Sequence, residues 1–125
     1  MLKRYIYLLI IFTFSFSQDI PGEPTISWMP TEYELINENL NLTISWDMWW
    51  GENGDYWKLI QNGNNVFESE IINNTPEAQH DEVILLITTA GEYNFIIDLC
   101  NDNGCASSNP ILISINPSCF ESKGL

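Results

Sequence analysis

Over residues 93–100 the chain sets Tyr93, Phe95, Ile97 and Leu99 against Asn94, Ile96, Asp98 and Cys100. Successive side chains leave a strand on opposite faces, so a two-residue period predicts a strand with one face in a core. The pattern recurs over 40–46, where Leu42, Ile44 and Trp46 alternate with Asn41, Thr43 and Ser45, and over 111–115. Between such runs stand Asn62-Gly63 and Asn103-Gly104, pairs that favour the left-handed backbone of tight hairpin turns.

Further strands are predicted over 25–29 (carrying Trp28 and closed by Pro30), 56–61 and 82–88, with a return strand beginning at Val66-Phe67. Residues 20–24 read as a stiff lead-in and 71–81 as a loop, since neither has periodicity and both carry proline. About seven short strands with turn signals roughly every ten residues, and no helical period, describe an all-β chain. The expected fold is an immunoglobulin/fibronectin type III-like β-sandwich. Tyr93 sits where a tyrosine corner of that fold belongs.

The first 17 residues form a separate unit. Lys3 and Arg4 precede an apolar run over 5–16, and small Ser15 and Ser17 precede Gln18. This is the pattern of a secretory signal cleaved near Ser17-Gln18, and the run is shorter than the ~20 residues of a spanning helix. The expected organisation is a signal peptide at 1–17, a β-sandwich domain at 21–115 and a patternless tail at 116–125, in a secreted protein.

The whole chain carries a formal charge of −13. Cleavage removes two of its four basic residues and none of its 17 acidic ones, leaving Lys58, Lys123 and a charge of −15. Phosphate backbones and anionic lipid would repel such a protein, so nucleic-acid and membrane partners are not expected. Cys100 and Cys105 flank Asn-Asp-Asn-Gly and should pair across a tight turn in an oxidising compartment. Cys119 is left over. With one histidine and no second cysteine pair, neither zinc nor another cofactor is expected. Asp47, Glu52 and Asp55 match no calcium-loop spacing.

Four of five tryptophans crowd into residues 45–57: Trp46, Trp49, Trp50 and Trp57, around Gly51 and Gly54. Trp46 closes an alternating run and belongs to the core. Trp49 and Trp50 follow where that alternation stops, and neighbouring indoles in a loop cannot easily both be buried. Each ring offers on the order of 150–250 Å² of contact area, so surplus indoles indicate a surface to be covered. Nearby Glu52, Asn53, Asp55 and Asn62 could hydrogen-bond a polar ligand, although such residues more often only form turns. No pair of carboxylates is marked as acid and nucleophile, His80 has no nucleophile beside it, and no phosphate loop is present.

Three segments in order, Pro24-Thr25-Ile26-Ser27-Trp28, Ser45-Trp46-Asp47-Met48-Trp49-Trp50-Gly51 and Leu99-Cys100-Asn101-Asp102-Asn103-Gly104-Cys105, carry a resemblance. Together they resemble the N-terminal domain of chitinase A-type bacterial chitinases, over about residues 21–115. The resemblance implies a fibronectin III-like sandwich whose exposed tryptophans, Trp28 and Trp49 by position, guide a chitin chain. It puts Trp46 in the core and pairs Cys100 with Cys105. Trp50 and Trp57 join the candidate site from their clustering alone. The acidic signature of the catalytic barrel, Asp-x-x-Asp-x-Asp-x-Glu, does not occur in the sequence, so no enzyme activity is expected. The expectation is a non-catalytic module for chitin or a related insoluble polysaccharide, acting with a chitinase or another secreted enzyme. Two alternatives are a protein-interaction module and the front of a longer family 18 chitinase.

Overall fold

The computed structural model describes residues 19–72 and 75–118. The expected signal peptide at 1–17 and Cys119 lie outside the described residues. Among the described residues nine strands follow in order: β1 (Thr25–Ile26), β2 (Glu32–Glu34), β3 (Leu40–Trp49), β4 (Tyr56–Gln61), β5 (Asn64–Glu70), β6 (Ala78–Ile87), β7 (Gly91–Asn101), β8 (Gly104–Ser107) and β9 (Ile111–Asn116). They form a three-stranded sheet, β1-β3-β6, and a second sheet, β2-β9-β7-β4-β5, with β8 on the end of β7. The described residues form an all-β sandwich with no helix.

Each sheet buries the apolar half of its alternating strands. Leu42, Ile44, Trp46 and Met48 of β3 meet Trp57 and Leu59 of β4 and Phe95, Ile97 and Leu99 of β7 in one cluster. Trp46 and Trp57 pack edge to face with ring centroids 5.6 Å apart, and Phe67 lies 5.2 Å beyond Trp57. Full burial of a large apolar side chain contributes about 1.5–3 kcal/mol, so these rings anchor the two sheets together.

Turn chemistry sets the registers. Asn62 and Gly63 have φ of 50° and 83°, the left-handed pair that a two-residue hairpin between β4 and β5 requires. Asn37 and Glu38 repeat this at 53° and 64°, inside the Ile36–Asn39 bridge. At the crossover from β6 to β7, Tyr93 Oη donates to the Thr89 carbonyl at 2.6 Å, which is tyrosine-corner geometry. The Cys100–Cys105 disulfide joins β7 to β8.

Several elements differ from the sequence reading. The strand expected over 25–29 ends at Ile26, although Ser27 N–H still donates to Ser45 O at 2.8 Å. β3 runs on through Met48, 1% exposed, to Trp49, because the alternation continues past Trp46. β6 begins at Ala78, inside the expected loop over 71–81. Asn116, assigned to a patternless tail, instead ends β9 beside Glu34.

Candidate functional site

The structure leaves three tryptophans exposed: Trp28 at 88%, Trp50 at 81% and Trp49 at 62%. Trp49 and Trp50 terminate β3. Trp49 continues the outward parity of Ser45 and Asp47, while Trp50 takes φ of 65° and turns the chain out of the strand. Trp28 lies two residues past β1. β1 pairs with β3 at Thr25–Asp47 and Ile26–Trp46, and Trp28 follows beyond that ladder, next to buried Met29.

Trp57 does not join them. It is fully buried, and the expectation that it offers an exposed ring is corrected. The reason is parity: β4 starts at Tyr56, so Trp57 and Leu59 face inward, opposite Leu99 and Ile97. Its indole Nε1 donates to Asp81 Oδ2 at 2.8 Å. The alternation of Trp57 and Leu59 with Tyr56 and Lys58 was the signal for this burial. Trp46 is buried as expected.

The loop after Trp50 is fastened on several sides. Trp50 N–H donates to Glu77 O at 2.8 Å, Gly22 N–H to Glu52 O at 3.0 Å and Asp55 N–H to Cys100 O at 2.6 Å. Asn53 Nδ2 donates to Thr75 O at 3.3 Å. Buried Gln79 holds Gly54 twice, accepting from its N–H at 2.8 Å and donating to its carbonyl at 3.0 Å. The sequence reading missed Gln79 and Asp81 because polar residues at inward positions conceal the start of β6.

A groove of about 700 Å³ flanks Trp49, with Ser27, Ser45, Asp47, His80 and Glu82 among its lining residues. It is lined by residues of β3 and β6, where Asp47 pairs with His80 and Ser45 with Glu82, and by residues 69–72 at the end of β5 in the other sheet. Acidic and hydroxyl side chains stand there beside Trp49, Ile71 and Ile72, a mixture suited to ligands that carry both hydroxyls and apolar faces. Of the polar candidates near the loop, Asn53 is engaged with Thr75. Asn62 lies at the far end of β4, where its Oδ1 accepts from Asn94 N–H at 2.8 Å.

Fold and surface together define an immunoglobulin-like β-sandwich module with three uncovered tryptophan rings, Trp49 at the end of β3, Trp50 just after it and Trp28 beyond β1. The family model described as the N-terminal domain of chitinase A matches residues 18–118. The chain belongs to this family. It is 24% identical over 126 residues to a chitinase of Autographa californica nuclear polyhedrosis virus, covering 89% of this chain and 22% of that protein. A probable endochitinase of Orgyia pseudotsugata multicapsid polyhedrosis virus matches at 24%, over 87% of this chain and 21% of its own length. Chitinase A of Pseudoalteromonas piscicida matches at 23%, over 70% and 12%. The chain thus spans about a fifth or less of the curated relatives it matches. Among solved structures, the CARDB domain of a Pyrococcus furiosus protein in complex with di-metal ions superposes with a TM-score of 0.58. Identity is 12%, covering 82% of this chain and 99% of that one. At that identity the likeness speaks for the fold alone.

Proposed function

We propose that the chain is a secreted, non-catalytic carbohydrate-binding module for chitin or a similar insoluble neutral polysaccharide. It binds by tryptophan stacking and assists degradation of, or attachment to, that polymer. The observation that carries this reading is the exposure of Trp28, Trp49 and Trp50 on a sandwich that buries Trp46 and Trp57. Family membership and the names of the relatives, all chitinases, supply the choice of polymer.

A pyranose ring has an apolar face of C–H bonds and a polar rim. An indole against that face removes apolar area from water without needing a charge. One covered face of about 100 Å² is worth roughly 2.5 kcal/mol. Three give about 7–8 kcal/mol before an association cost of about 4–15 kcal/mol. A short soluble sugar is therefore held weakly. An insoluble polymer presents many sites at once, and avidity makes retention useful.

Comparison of crystalline chitin with short chito-oligosaccharides tests this reading. Strong retention on the solid together with weak binding of the oligosaccharides is the expected result. Absence of the protein from the chitin pellet would overturn the proposal and favour a protein-interaction module.

A further inference from the structure

We infer that Gln79 is a positioning residue for the exposed indoles, holding the loop over 50–55 through its side-chain amide. The consequence for binding rests on the glycan reading above; the mechanical role does not.

Gln79 is 3% exposed and faces inward from β6, in register with Met48. A buried primary amide is strongly unfavourable unless its donors and acceptor are met. Here both halves close on one residue: Oε1 accepts the Gly54 N–H at 2.8 Å, and Nε2 donates to the Gly54 carbonyl at 3.0 Å. The side chain thereby imitates the edge of a neighbouring strand and fits the loop in a single register. On its other side, Gly54 abuts Leu99 so closely that a methyl at Gly54 would collide with Leu99 Cδ1. Gly54 is clamped between an amide and a core leucine.

The same short segment also holds the other end of the loop. Trp49 pairs with Ala78, and Trp50 N–H donates to Glu77 O at 2.8 Å. Residues 77–79 therefore grip both the indole-bearing end and Gly54. Trp50 adopts φ of 65°, a conformation that non-glycine residues keep only where the surroundings over-determine it. The Gln79–Gly54 closure supplies that constraint by fixing where the loop must return. A ring already held in its binding pose avoids the ordering cost that a mobile ring meets on association.

The test compares the unsubstituted protein with Gln79→Met, which removes both hydrogen bonds, and Gln79→Glu, which keeps the acceptor and removes the donor. Backbone order parameters and amide exchange are read alongside retention on crystalline chitin per mole of folded protein. In the unsubstituted protein, order parameters at Trp49 and Trp50 should be near 0.85, typical of rigid backbone, with the Gly54 amide protected. In the variants Trp50 should fall below about 0.6 while β7 stays rigid, and chitin retention should drop about tenfold as pre-organisation is lost. Folded variants with unchanged order at Trp50 would overturn the inference. So would a mobile Trp50 or a rapidly exchanging Gly54 amide in the unsubstituted protein, which decides the matter even if the variants fail to fold. If the unsubstituted protein is not retained by chitin, the glycan reading fails, and the order parameters still decide the role of Gln79.

Discussion

Five tryptophans in this chain divide into two populations that single substitutions should separate. Trp57 is enclosed by Trp46 and Phe67 and bonded to Asp81. Trp57→Ala should cost about 3–5 kcal/mol of stability in urea unfolding, the usual range for an emptied aromatic core site. Trp49→Ala should stay within about 0.5 kcal/mol, as for surface positions. Asp81→Ala would strand the Trp57 indole N–H, at about 1–3 kcal/mol. Equal losses at Trp49 and Trp57 would contradict the division. Tyr33 supplies a pH handle. Burial raises its hydroxyl pKa above the ordinary value of 10.0, so the unfolded chain releases this proton first as pH rises. Its contribution to stability is complete below about pH 10 and is lost as pH climbs through the folded value. Stability measured against pH should therefore fall on the alkaline side, and Tyr33→Phe should reduce that fall.

Among the elements, the strands that alternate cleanly were the legible ones. In β3, β4, β7 and β9 every second residue enters one core, and the period alone locates them. β2 has three residues paired to β9, too few for any period to declare itself. β8 is separated from β9 by the Ser108–Pro110 interruption, where Ile97 N–H donates to Ser108 Oγ at 2.9 Å. The start of β6 was hidden for a different reason. Its inward residues Gln79 and Asp81 are polar, and only the folded partners Gly54 and Trp57 justify their burial. The exposed ends of β3 were half legible: clustering flagged Trp49, Trp50 and Trp57 alike, and strand parity then removed Trp57. Turn chemistry gives a further check at this scale. Gly63 has open space around it and φ of 83°, so Gly63→Ala should lower stability by about 1–2 kcal/mol through backbone conformation alone. Gly54 has no left-handed φ, so Gly54→Ala should destabilise instead through its collision with Leu99, at an overpacking cost of about 1–3 kcal/mol. Thermal unfolding should place both variants below the unsubstituted protein, and an unchanged midpoint for Gly54→Ala would contradict the close packing on Leu99.

At the scale of the whole molecule, a sandwich closed by one aromatic-rich core carries exposed Trp49 at the end of one sheet and its short disulfide on the other. The Cys100–Cys105 bridge closes a loop of sequence separation 5, so chain entropy gives it about 2 kcal/mol. Reduction should lower the unfolding free energy by about that amount in urea unfolding while leaving the sandwich folded, because β7 stays paired to β4 and β9. A formal charge of −13 favours solubility and would not repel an uncharged ligand. The most direct test of the central claim is retention on crystalline chitin of the native chain against Trp28→Ala/Trp49→Ala/Trp50→Ala, with folding verified by the near-ultraviolet signal of Trp46 and Trp57. Loss of retention by the folded triple variant is the predicted result, and undiminished retention would contradict it.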